Sequence, residues 1–276
     1  KRAMGMEDGA KCARVGGSGS AIVHGHSLIP DITLSKRQSV LDRSAAPAGP
    51  AVPAPRTAAR PRARRALSAA EIREIFHRFA AANPEPKGEL AYTNPFTLLV
   101  AVVLSAQATD AGVNKATRAL FQKADTPQKM LALGEEGLRN HIKSIGLFRA
   151  KAKNILLLSE KLIREFGGAV PADRDALETL AGVGRKTANV VMNIAFGAPT
   201  MAVDTHVLRV SNRTGLSSGK TPLAVEADLL AKVPPEYGVH AHHWLILHGR
   251  YVCKARRPAC PDCLIRDLCR FPDKTP

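Results

Sequence analysis

Cysteine is nearly absent from this chain until its C-terminal end. Of five cysteines in 276 residues, only Cys12 precedes position 253. That scarcity, with no apolar secretory stretch near the start, argues against a disulfide scaffold and predicts a cytoplasmic protein with reduced thiols. Long apolar runs are missing too. The best of them, Phe96–Ala106, has the length of a buried helix and is too short to cross a bilayer, so no membrane association is expected. Alternating strand patterns are short or absent, and no period of repeat-protein length recurs. An all-α fold is the expectation.

What is present is positive charge and a late burst of thiols. The formal net charge is +16 and the pI near 10.1, which points to a polyanionic partner, most simply nucleic acid. The excess is divided evenly. Residues 1–66 carry 12 Lys/Arg against 4 Asp/Glu, leaving 28 against 20 in residues 67–276, a net of +8 in each part. Cys253, Cys260, Cys263 and Cys269 then fall in a C-x6-C-x2-C-x5-C pattern. Four soft thiolates in one loop read as ligands of a single metal centre. Tetrathiolate zinc and a [4Fe–4S] cluster both satisfy that ligand count, and the thiols alone do not choose.

The first segment, to about Ala66, is rich in Gly, Ser, Ala, Pro and Arg and reads as a disordered basic tail, because it offers too little apolar surface to offset chain entropy. Order is expected from Leu67. Ser68 and Glu71 make a capping-box pattern, followed by Ile72, Ile75, Phe76 and Phe79 at helical spacing, with Asn83-Pro84 as the stop. Asn94-Pro95, Thr126-Pro127 and Thr221-Pro222 each predict a helix start, and Asp173 caps a helix to about Leu180. Lys151–Phe166, closed by Gly167-Gly168, and His240–Tyr251 complete the reading.

Between two of these helices runs Leu180-Ala181-Gly182-Val183-Gly184-Arg185-Lys186-Thr187-Ala188. Gly182 and Gly184 allow positive φ and close approach of a partner, and the next helix offers free N–H groups and a positive dipole end suited to phosphate. This is a helix-hairpin-helix pattern, which grips DNA backbone without reading sequence, with Val183 and Arg185 in its contact set. Lys186, in the first helical turn, is expected to be a partly buried nucleophilic amine, since burial and the helix end both favour its neutral form. Asp204 lies between the apolar Met201–Val203 and a helical run, in a position suited to an N-cap. His206 alone reads as structural, and the cluster His240, His242, His243 and His248 shows no metal-ligand spacing.

Taken together, Leu180–Val191, Ala202–Arg209, His242–Tyr251 and the cysteine spacing resemble bacterial endonuclease III, a helix-hairpin-helix DNA glycosylase with abasic-site lyase activity. The resemblance spans about residues 68–273. It implies a [4Fe–4S] cluster in place of zinc, Lys186 as the Schiff-base lysine and Asp204 as the essential carboxylate. It further implies that Gln107, in Ser105–Asp110, fills the gap left by an extruded base, and that Ser144-Ile145-Gly146-Leu147 is an apolar wedge loop. Lys254, Arg256 and Arg257, between the first two cysteines, would face DNA backbone. Two helical domains flanking a cleft are implied: a six-helix unit at 90–200, and a cluster unit made of 67–89 with 201–276. The implied partner is duplex DNA carrying damaged pyrimidines or abasic sites, bound by a monomer. Ala181 departs from the proline usual in the family's hairpin, which predicts a looser turn. Adenine-mismatch relatives of this fold are disfavoured, because they carry a glutamate in the helix equivalent to Leu98–Gln107, where this chain has no acid, and lack the hairpin lysine.

Overall fold

The computed structural model describes residues 65–276. The readings of the basic tail and of Cys12 therefore fall almost wholly outside the described residues. The described chain forms eleven α-helices and one 3-10 turn, Pro235–Tyr237, with no strand among them. In order they are α1 (Ala69–Ala82), α2 (Pro95–Ser105), α3 (Asp110–Lys123), α4 (Pro127–Ala132), α5 (Gly134–Ile142), α6 (Phe148–Phe166), α7 (Arg174–Glu178), α8 (Arg185–Phe196), α9 (Thr205–Thr214), α10 (Pro222–Lys232) and α11 (Gly238–Tyr251).

Local chemistry explains most of the starts. Ser68 Oγ accepts from the Glu71 amide at 3.2 Å while Glu71 Oε2 accepts from the Ser68 amide at 2.8 Å, a reciprocal box that opens α1. Asn94 and Thr97 do the same for α2, with Pro95 in its first turn. Thr126, Asp173 and Thr221 cap α4, α7 and α10 through single side-chain oxygens. Two helices escape the sequence reading. Thr109 caps α3, whose buried Val113, Ala116, Thr117, Leu120 and Phe121 do carry helical spacing. Helix α5 starts at Gly134 with no side-chain cap and so leaves no starting signal. Helix α6 begins at Phe148, three residues before the predicted Lys151, because the chain turns through a left-handed Leu147 in place of a polar cap.

Packing produces two hydrophobic cores. The first is built from α2 to α8 around Leu99, Leu104, Leu120, Leu138, Ile155 and Leu158. The second joins α1 to α9, α10 and α11 through Phe76, Val207, Leu229, Trp244 and Ile265. Helix α2 is buried from Phe96 through Leu104 and packs against α3, α6 and α8, which is why it has no polar face. Each fully buried leucine there contributes about 1.5–3 kcal/mol relative to exposure. A small cluster of Leu98, Val102, Val190 and Ala202 brings α2 and α8 to the segment that precedes α9. That contact sets the two sides of the candidate site next to each other.

Candidate nucleic-acid interface and metal centre

The α7–α8 hairpin is shaped by one obligatory glycine. Gly182 has φ +79°, and a Cβ there would lie 2.9 Å from Asn154 Nδ2 on α6. Val183 is buried beneath the turn and its amide donates to Leu180 O at 3.1 Å. Gly184 differs: its φ is −101°, and a Cβ would meet nothing within 4 Å. Open space lies over the start of α8, where no side chain caps the first-turn amides. Arg185 points instead toward α10, where its guanidinium binds Glu226 at 2.8–3.2 Å. Lys186 is exposed, which corrects the expectation of partial burial: the first turn of α8 faces solvent.

Lys186 stands at the rim of a cavity of about 590 Å³. Ser105, Asp110, His242 and Arg250 also line it. Arg250 Nη1 donates to Asp110 Oδ2 at 2.6 Å and to Glu89 Oε2 at 2.5 Å, joining α11 to α3 across 140 residues of sequence. Burial opposes the charge of Arg250, but the bond to Asp110 and the nearby carboxylates hold its pKa above the ordinary value. His242 is fully enclosed; burial, followed by the charges of His243 and Lys186, pushes its pKa down to about 3. A neutral imidazole therefore sits behind the lysine. No spacing rule connects Arg250, Asp110 and Glu89, so sequence reading did not assemble this polar wall.

Asp204 is the N-cap of α9. Its Oδ1 accepts from the amides of His206 and Val207, both at 2.8 Å, so the carboxylate is held rigidly at a positive helix end. From the same helix, Arg209 Nε donates to Cys253 O at 3.0 Å, and Arg213 donates to Lys254 O and Ala255 O at 2.7 and 3.0 Å. One helix thus holds the carboxylate at its start and clamps the cysteine loop along its side.

Among the described residues, three residues other than glycine adopt positive φ: Gln107 (56°), Leu147 (58°) and Arg257 (51°). For such residues this backbone is uncommon and costs roughly 1–3 kcal/mol, and it concentrates at functional sites. Gln107 is exposed, and Leu147 is 63% exposed despite being apolar. Ile145, read as part of the same wedge, is 4% exposed and belongs to the first core, so its side chain anchors the loop from below. Lys254, Arg256 and Arg257 are all exposed on the cysteine loop.

The four cysteines form no disulfides and together line one small apolar pocket with His248, Val252, Ile265 and Phe271. Backbone turns fix them: the Cys263 amide donates to Cys260 O and the Cys269 amide to Ile265 O. The Phe271 amide and Arg213 Nη1 lie 3.5 and 3.6 Å from Cys269 Sγ and Cys253 Sγ, as donors to sulfur. Burial, with smaller contributions from the other three cysteines, pushes the Cys263 thiol up to about 11. No three His, Cys, Asp or Glu side chains among the described residues are arranged to hold a single ion.

Residues 100–235 match a family described as HhH-GPD superfamily base excision DNA repair protein. Endonuclease III of Treponema pallidum (strain Nichols) is 60% identical over 205 residues, covering 74% of this chain and 97% of the relative. That of Escherichia coli (strain K12) is 54% identical over 208 residues, 75% of this chain and 99% of its own. A solved structure described as a trapped endonuclease III–DNA covalent intermediate, in an estranged-adenine complex, superposes with a TM-score of 0.69 at 50% identity, covering 74% of this chain and 96% of that one. With the all-helical fold, the hairpin and the cysteine loop in place, these likenesses establish that the chain belongs to the endonuclease III family.

Proposed function

We propose that this protein is a base-excision DNA glycosylase with abasic-site lyase activity, acting on duplex DNA that carries oxidised pyrimidines or abasic sites. The observation that carries the reading is the uncapped start of α8, with open space over Gly184 and Lys186 beside it at the mouth of the cavity. Free amides and a positive helix end take a phosphate, and the cavity next to them takes an extruded base. The two hydrophobic cores are read as two domains, about 90–200 and 67–89 with 201–276, with the cleft between them.

A base stacked in a duplex is out of reach, so it must first be flipped out, at a cost of a few kcal/mol that is smallest for damaged bases. Gln107 and Leu147 would take up the vacated space. DNA covering Lys186 would supply the desolvation that the free protein lacks there. The neutral amine attacks C1′ and the glycosidic bond breaks, so the base leaves with the bonding electrons and takes up a proton. Asp204, whose Oδ1 is committed to α9, would use Oδ2 to accept the amine proton or to stabilise positive charge on the sugar. The sugar ring opens to an imine with Lys186. Loss of the C2′ proton expels the 3′ phosphate by β-elimination, and water then hydrolyses the imine to free the lysine.

For the cysteine pocket, the donor set fits a thiolate-bound group, with Cys253, Cys260, Cys263 and Cys269 as ligands. Zinc bound at about 2.3 Å needs its thiolates to converge on one point, whereas a [4Fe–4S] cluster sits inside a ring of cysteines. Membership of the endonuclease III family, the resemblance that implied the cluster, supports it over zinc. When bound, the cluster supplies a fold-fixing crosslink that presents Lys254, Arg256 and Arg257 to phosphates.

Borohydride trapping on abasic duplex DNA tests the reading. A covalent adduct is expected with the unmodified protein and none with Lys186→Gln, which should still bind DNA. No adduct from the unmodified protein would overturn the lyase assignment.

A further inference from the structure

Lys151 is 5% exposed on α6, yet its Nζ is met by main-chain carbonyls and by no carboxylate among the described residues. It donates to two main-chain carbonyls, Leu104 O at 2.9 Å and Ala106 O at 2.6 Å. Both belong to the C-terminal end of α2, and the reason for a lysine emerges when that end is accounted for group by group. The last carbonyls of a helix have no partner within it. Here Val102 O accepts from Ser105 Oγ, Val103 O from the Ala106 amide, and Ser105 O from the Ala108 amide. Leu104 O and Ala106 O have the lysine. An ammonium is the natural donor at this place, because the end of a helix carries partial negative charge.

The same residue reaches the other loop through its backbone. The Lys151 amide donates to Leu147 O at 3.1 Å, the first bond of α6. One residue therefore holds the carbonyl immediately before Gln107 and the carbonyl of Leu147. Those are the two exposed residues kept in left-handed backbone at the α2 and α6 loops. Burial draws the Lys151 pKa down, and the two carbonyls are the acceptors that a buried ammonium needs.

We propose that Lys151 is a positioning residue that locks Gln107 and Leu147 into one rigid two-pronged unit, so that both enter the DNA duplex together. The inference rests on the reading above that these two side chains fill the space of an extruded base. Without the lysine, each strained loop is free to relax toward ordinary backbone, and the prongs lose their common spacing.

The test compares base removal, which needs extrusion, with chemistry on DNA that needs none. Lys151→Met keeps the length and apolar stem but loses the donor. Single-turnover excision of an oxidised pyrimidine from duplex DNA should slow by about ten- to hundredfold, as for a misplaced positioning group. Borohydride trapping on single-stranded abasic DNA should stay within about twofold of the unmodified protein. In a Gln107→Ala/Leu147→Ala background, the further effect of Lys151→Met on duplex excision should largely vanish, since residues acting as a unit are not additive. Equal losses on both DNAs, an undiminished loss in the prong-less background, or duplex excision at the unmodified rate would each overturn the proposal. If Lys151→Met loses its helical circular dichroism, Lys151→Leu, which likewise lacks a donor, gives the same comparisons. Failure of the unmodified protein to form any adduct would count against the lyase reading, and is thereby separable from failure of this one.

Discussion

The Arg185 guanidinium grips the Glu226 carboxylate through two close bonds, Nε to Oε2 at 2.9 Å and Nη2 to Oε1 at 2.8 Å. The hairpin's own cation is thus turned inward to brace α8 against α10, while the amides beside it remain available. Arg185→Ala leaves an almost buried carboxylate unpaired and should cost about 1.5–3 kcal/mol in urea unfolding. It should leave the salt dependence of DNA binding nearly unchanged, whereas Lys254→Ala should reduce that slope by about one. An equal loss of slope from Arg185→Ala would mean that its guanidinium swings out to a phosphate.

The two hairpin glycines should respond differently. Gly182→Ala puts a methyl group against Asn154 at positive φ and should destabilise the free protein by roughly 1–3 kcal/mol. Gly184→Ala meets open space, so the free protein should change by less than about 1 kcal/mol. Its DNA affinity should fall all the same, because the methyl group would occupy the path of the approaching backbone. Thermal unfolding and fluorescence anisotropy on the two variants separate fold from binding.

Cys260→Ser should remove visible absorbance from the purified protein and lower its melting temperature. The loop cations lose their fixed placement with it, so the salt slope of DNA binding should fall by up to about three, one for each of Lys254, Arg256 and Arg257. A colourless unmodified protein that contains zinc would overturn the cluster assignment.

Acid should weaken the fold through His242. Unfolded, this group takes up a proton as pH falls below about 6.5. Folded, burial and the neighbouring His243 and Lys186 keep it neutral down to about 3. The unfolded state therefore binds more protons in that window, and stability falls with falling pH by up to about 1.4 kcal/mol per pH unit. Urea unfolding between pH 7 and 5 should show this contribution, and His242→Gln should lack it.

Much of the candidate site is written in local signals. Gly182, Gly184 and Lys186 are neighbours in the chain, the cysteines lie within one loop, and Asp204 sits where a cap is needed. Helix starts at Ser68, Asn94, Thr126, Asp173 and Thr221 were legible for the same reason, since a cap and its helix are a few residues apart. Helix α5 was not, because Leu133 gives no side-chain cap. The early start of α6 was hidden as well, because a left-handed leucine leaves no compositional trace.

The four thiols of the C-terminal loop were the plainest signal in the sequence, and their grouping in one loop followed from spacing alone. The sequence by itself also determined an all-helical chain, a basic partner-binding character and the hairpin with its lysine. Each depends on residues close together along the chain. Only the tertiary structure decided that Arg185 faces Glu226, that Ile145 is an anchor while Leu147 is exposed, and that Arg250 joins Asp110 and Glu89. It alone brought Lys151 under both loops. The side-chain hydrogen bonds among these join residues 41 to 161 positions apart, and their geometry is set by how α2, α6, α8 and α11 pack, which no local periodicity encodes.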